Sequence, residues 1–198
     1  MITEKEILES RRVIKELIET EKIVSADKKF VSFFMQKAEN ALETALVLDT
    51  LSCNEQIKKE FMLPLGYNGY VWVINAAYYA MFYAATALLA KYNWRIKEEK
   101  GIHALTYHAL VYYFLDNDQK LKKHYLEQYK EAEKESFEIL QVAEAEAKQQ
   151  IENVRLELEK RREFTYEMGK SAEEAKAQSS IKRAKEFLTI VKELLVKE

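Results

Sequence analysis

The sequence predicts an all-α protein, an antiparallel up-and-down bundle of helices. Three observations predict it. Only 4 glycines and 1 proline punctuate the 198 residues, too few for the turns of a sheet protein of this length. Ala, Leu, Glu and Lys dominate, and these residues favour helices. Apolar residues recur at helical spacing in nearly every segment where they cluster.

The elements follow in order. Ile2 to Lys22 is a charged amphipathic helix with a narrow stripe of Ile7, Val13, Ile14, Leu17 and Ile18, expected to form an N-terminal arm (residues 1–24) laid on the body or on a partner. Ser25-Ala26-Asp27 supplies a break with N-cap residues. The bundle proper spans 27–198. Its first helix carries Phe30, Phe33, Phe34, Ala38, Ala41, Leu42, Ala45 and Leu48 on one side. Ser52 to Asn68, with LPLGYNG, reads as irregular. The apolar run VWVINAAYYAMFYAATALLA, Val71 to Ala90, extends to about Tyr92. A charged turn, Lys97 to Gly101, leads to a short helix, Ile102 to Leu115, closed by Asp116-Asn117-Asp118. From about 119 to 162 nothing interrupts a near-heptad stripe that includes Leu126, Tyr129, Leu140, Ala147 and Leu158. Such a helix overhangs a small domain, so part of it is expected to pair within or between chains. A break is expected at Gly169, before a last helix from Ala172 to Val196.

The formal charge is −2 with 32% charged residues, so no global basic surface points to nucleic acid. One cysteine, Cys53, excludes an internal disulfide, and the charged start MITEKEILESRR has no apolar core of a signal peptide. Both features lead to an expected cytosolic location. Val71 to Ala90 is long enough to cross a bilayer, which takes about 20 apolar residues. Its tyrosines Tyr78, Tyr79 and Tyr83 would place hydroxyls near the bilayer centre, whereas tyrosine prefers the interface. A central bundle helix is therefore expected, with no membrane partner.

AAYYAMFYAATALLA (Ala76 to Ala90) resembles the signature helix of HEPN-domain proteins, in the prokaryotic and archaeal branch with a YYAMF-like run. The order of the surrounding parts is similar as well. A Phe/Ala/Leu helix precedes it, Lys100-Gly101-Ile102-His103 opens the next helix, an arginine turn (Arg161 to Tyr166) follows, and Ala184 to Leu188 resembles the closing helix. The likeness spans roughly Phe30 to Leu195. It implies a homodimeric helical bundle that binds RNA or a nucleotide. Many members are metal-independent ribonucleases, toxins paired with a nucleotidyltransferase antitoxin. Their usual motif is an Arg, a polar spacer and a His. Here Arg161 and Arg162 are followed by Thr165-Tyr166 and no His, so the turn lacks the usual general base for 2′-OH attack.

The resemblance marks Arg161 and Tyr166 as candidate catalytic residues, and Arg161 and Arg162 as phosphate contacts. Arginine forks suit phosphate, although cations near a helix end also answer the helix dipole. Tyr166 reads as a core tyrosine or as a ring that positions a phosphate or stacks on a base. Asn75, the one amide of the apolar helix, either fixes bundle register or binds a ligand. Tyr78 and Tyr79 point in different directions, and one of them, assigned to Tyr79, is expected to reach the groove shared with the last helix; Asn75 and Tyr79 are therefore also candidate phosphate or nucleic-acid contacts. His103 is the remaining acid–base candidate. His103 and His108 are five residues apart and do not form a metal pair, and no cofactor is implied. Met168-Gly169-Lys170-Ser171 lacks the strand and the first glycine of a phosphate loop. A different class of function also fits: a non-catalytic interaction scaffold acting through its dimer and long-helix surfaces.

Overall fold

The computed structural model describes residues 1–64, 66–98, 100–117, 120–156 and 166–196, with side chains described except at 142–156 and 166–172. The chain is an all-α helical bundle. Its elements are α1 (Glu4–Glu19), β1 (Ile23–Val24), α2 (Lys29–Cys53), α3 (Glu55–Glu60), α4 (Tyr70–Lys91), β2 (Arg95–Ile96), α5 (Ile102–Leu110) continued by a π-helical turn (Val111–Asn117), α6 (Lys123–Leu156) and α7 (Tyr166–Val196).

The apolar run is the centre of the bundle. α4 is long and apolar enough to cross a membrane by length and composition, but 78% of its apolar window is buried by the other helices. Ala77, Ala80, Ala84, Ala85 and Ala87 have no exposed surface. Small side chains let neighbouring backbones approach, which is why α2, α6 and α7 all pack on this helix. Residue pairs give the directions. Phe34 meets Tyr83 and Ser52 meets Gly69, so α2 runs antiparallel to α4. Ser136 meets Asn75, and Tyr129 meets Phe187, so α6 runs antiparallel to both α4 and α7.

α1 starts in a capping box between Thr3 and Glu6. It lies against α5 and the π turn, burying Ile14 and Leu17. Polar contacts hold it there: Arg11 pairs with Asp116 at 3.0 Å, Lys130 donates to Glu6, and the Ile2 N–H donates to Glu127 at 2.7 Å. The Ser10 hydroxyl donates to the Glu6 carbonyl at 2.9 Å and lies 2.9 Å from His108 Nδ1. Its one proton is already used, so His108 is the donor in the second bond.

Several local expectations are corrected. The segment 52–68 is not wholly irregular, because Asn54 accepts from the Gln56 and Ile57 N–H groups and caps α3. Gly169 does not break the last helix, since α7 already begins at Tyr166. One interior glycine costs only about 1 kcal/mol relative to alanine, and good helix formers flank this one. The helix from Ile102 changes to π geometry at Val111. The sequence reading also lacked the ladder that pairs Ile23 with Ile96 and Val24 with Arg95. It is extended where Asn93, in a left-handed conformation at φ 68°, accepts from the Ala26 N–H. This ladder sets Arg95 against the start of α2.

Candidate functional site

Three helices converge on His103. The spacing of Asn75, Tyr78, Tyr79 and Phe82 puts them on one side of α4. Tyr129, Glu133 and Phe137 repeat at four-residue intervals along α6 and face them. His103 enters from the first turn of α5, which starts at Gly101 with φ 72°, a conformation that suits glycine.

The imidazole is half-buried and surrounded by rings. Its centroid lies 4.4 Å from Phe82, 5.4 Å from Phe137, 5.5 Å from Tyr78 and 5.6 Å from Tyr79. Its Nδ1 lies 2.8 Å from the Tyr78 hydroxyl. Burial holds the His103 pKa below the usual histidine value, so the ring is neutral at neutral pH. Tyr78 is buried, and both desolvation and the Glu133 charge push its phenol up, so it keeps its proton. The pair has two tautomeric forms. Where Tyr78 donates to Nδ1, Nε2 carries the ring proton and is an acid. Where Nδ1–H donates to Tyr78, Nε2 carries a lone pair and is a base. Nε2 makes no hydrogen bond among the described residues.

Polar groups without partners surround this pair. Glu133 is half-buried and forms no ion pair or hydrogen bond among the described residues. Burial pushes its carboxyl up, with the Lys130 charge acting in the opposite direction. Tyr129 is fully buried against Tyr78, with ring centroids 6.0 Å apart. Its hydroxyl makes no hydrogen bond among the described residues, and neither does the buried Tyr107 hydroxyl. Unsatisfied buried polar atoms are uncommon, and Tyr113, Gln128 and Ser180 hold others on further parts of the bundle. Among the described residues, no group of three or more His, Cys, Asp or Glu could hold a metal ion.

Of the residues singled out from the sequence, Asn75, Tyr79 and His103 share this region. Asn75 is 5% exposed, accepts from the Ser136 hydroxyl at 2.7 Å and donates to the Val71 carbonyl at 2.8 Å. It therefore ties α4 to α6, as its register reading anticipates. Tyr79 is on the rim at 37% exposure. Arg161 and Arg162 lie outside the described residues. Tyr166 is the first residue of α7, and its side chain lies outside the described set. His108 is used in the α1 contact, and His124 is exposed. Sequence reasoning missed Glu133 and Tyr129. Their four-residue spacing with Phe137 was the available signal. No family model, curated protein or solved structure matches the chain.

Proposed function

We propose that this chain is an RNA-binding protein of HEPN type in which His103, held by Tyr78, supplies the acid–base group that the Arg161–Tyr166 turn lacks. The observation that carries the reading is the 2.8 Å contact between the Tyr78 hydroxyl and His103 Nδ1 inside a half-open ring of aromatics. A neutral imidazole with a free Nε2 suits a general base, a role that contributes about 10²–10⁴-fold to rate. In the reaction that the resemblance implies, Nε2 takes the 2′-OH proton. The 2′ oxygen bonds to the adjacent phosphorus, and the 5′ oxygen leaves with a proton. The products are a 2′,3′-cyclic phosphate and a 5′-OH end. Arg161 and Arg162 are assigned to the phosphate and Tyr166 to positioning. The same resemblance supports a cytosolic homodimer with a nucleotidyltransferase partner.

The test is incubation of a mixed single-stranded RNA pool with the purified protein in excess EDTA. His103→Ala and Arg161→Ala/Arg162→Ala variants serve as controls. Cyclic-phosphate ends lost in His103→Ala support the assignment. Cleavage that His103→Ala leaves intact removes His103 from it.

A second reading, the interaction scaffold, is favoured by the 34 residues of α6. At 1.5 Å per residue this helix runs about 50 Å. A protein with no RNA affinity whose assembly depends on the second half of α6 would fit this reading.

A further inference from the structure

The rings around His103 are one end of a longer feature. A continuous series of aromatic contacts crosses the face made by α2, α4, α5 and α6. Phe33 meets Phe34 at 5.1 Å, Phe34 stacks on Tyr83 at 6.3 Å, and Tyr83 meets Tyr79 at 5.9 Å. Tyr79 meets His103 at 5.6 Å, and His103 meets Phe137 at 5.4 Å. Three of these rings face solvent: Phe33 is 49%, Tyr79 37% and Phe137 42% exposed.

Two cations lie at the α2 end of this series. Lys37 Nζ sits 5.1 Å from the Phe33 ring centre and 5.4 Å from that of Tyr83. The Arg95 guanidinium lies 4.7 Å from the Phe30 ring, where the β1–β2 ladder holds it. Lys37 and Arg95 are exposed and form no ion pair among the described residues. Lys29, over the same Phe30 ring, is tied to Asp27 at 2.9 Å and contributes less.

We infer that this strip is a docking platform for a single-stranded polynucleotide, with bases stacked on Phe33, Tyr79 and Phe137 and phosphates on Lys37 and Arg95. The inference rests on the RNA-binding reading and names the form of nucleic acid that reading requires. Exposed rings beside cations that form no ion pair among the described residues suit a single strand, because every base has a stacking face and every linkage has a charge. A duplex hides its base faces and fits poorly. A second copy of this chain fits less well, because two-fold pairing of this face would press Lys37 and Arg95 into an interface core, where cationic lysine is disfavoured. His103 lies between Tyr79 and Phe137 in this series, so a strand lying on the strip passes the acid–base pair.

The experiment is fluorescence anisotropy of a labelled oligo(A) of about 12 nucleotides, within the roughly 4–16 that such surfaces cover. It is run on the whole chain with EDTA present, using 2′-deoxy oligo(A) where cleavage interferes. Phe33→Ala, Phe137→Ala and Lys37→Ala alter exposed side chains, and circular dichroism checks their helix content. Single strands are expected to bind at least about tenfold tighter than the matching duplex. Each ring variant is expected to weaken binding by about fivefold or more. With two phosphate contacts, log affinity should fall against log salt with a slope near −1.4, and Lys37→Ala should halve that slope. Binding that the variants leave unchanged overturns the strip while the RNA-binding reading stands. No binding of single strands by the wild type overturns both. A wild-type dimer that Phe33→Ser converts to monomer, with nucleic-acid affinity unaltered, assigns the strip to a second copy and overturns the proposal.

Discussion

The phenolic oxygen of Tyr78 lies 2.8 Å from Nδ1 of His103, although 25 positions separate them in the chain. One is fixed in the central helix and the other in the first turn of α5, so the relationship depends on how α5 folds back over α4. It gives the imidazole a partner on one nitrogen and leaves the other without one among the described residues.

His103 and His108 set the acid side of the stability profile. Burial lowers both pKa values below the ordinary histidine value of 6.5. A depressed folded-state pKa means the unfolded chain takes up the proton first. Stability is therefore full above pH 6.5 and falls as pH drops through it toward the folded values. Thermal unfolding followed from about pH 8 to about pH 5 should show Tm falling. Replacing both histidines by Gln should flatten that part of the curve.

Glu133 acts in the opposite sense. Burial raises its folded-state pKa above the ordinary carboxyl value of 4.5, so its charge opposes folding at neutral pH. Glu133→Gln should stabilise the protein at pH 7, and the gain should fade as pH falls through the raised folded value and vanish below 4.5, where both states are protonated. A gain of about 1 kcal/mol reads as roughly 2–4 °C in Tm for a chain of this length. A variant less stable at every pH would mean that the carboxylate has a partner the structure does not show.

The two tyrosines beside His103 should separate in mutagenesis. The Tyr129 hydroxyl is buried without a hydrogen bond, so Tyr129→Phe should change stability by less than about 0.5 kcal/mol or raise it. The Tyr78 hydroxyl is bonded, so Tyr78→Phe should cost about 1 kcal/mol. Urea denaturation of the two variants gives both values. Equal costs would place a real hydrogen bond between the two phenols.

Asn75 and Ser136 should behave as a unit. Asn75→Ala leaves the buried Ser136 hydroxyl without its acceptor and should cost about 1–3 kcal/mol. Asn75→Leu combined with Ser136→Ala removes both polar groups and should recover part of that loss. Additive costs in the double-mutant cycle would show that the two side chains do not communicate.

Helix content was the most legible property, because it rests on local signals. The Ala- and Tyr-rich run of α4 and the stripe of Ala177, Ile181, Ala184, Phe187, Leu188, Val191 and Leu195 in α7 mark buried faces by spacing alone; most of these residues are buried, while Trp72 and Tyr79 are exposed and Leu195 gives way to Leu194. Breaks were less legible. Gly169 looked like a stop, yet flanking helix formers outweigh one glycine. The Ile23–Ile96 ladder was invisible, since two residues on each side carry no periodicity. Asn75, Tyr79 and His103 could be named from the sequence as unusual residues. Their contacts could not, because Ser136 and Phe137 reach Asn75 and His103 only once α5 and α6 are docked on α4. Nothing local marks the strip either, as it takes rings from four separate helices.

The most direct measurement of the central claim is the pH–rate profile of EDTA-resistant cleavage of a single-stranded RNA, for the wild type, His103→Gln and Tyr78→Phe. If neutral His103 is the base, the rate holds its plateau below pH 6.5 before the acid limb falls, because burial depresses this imidazole. Tyr78→Phe then moves that limb, and His103→Gln loses about 10²-fold or more of the rate. Absence of EDTA-resistant cleavage in the wild type, or an acid limb that His103→Gln leaves in place, would contradict the account.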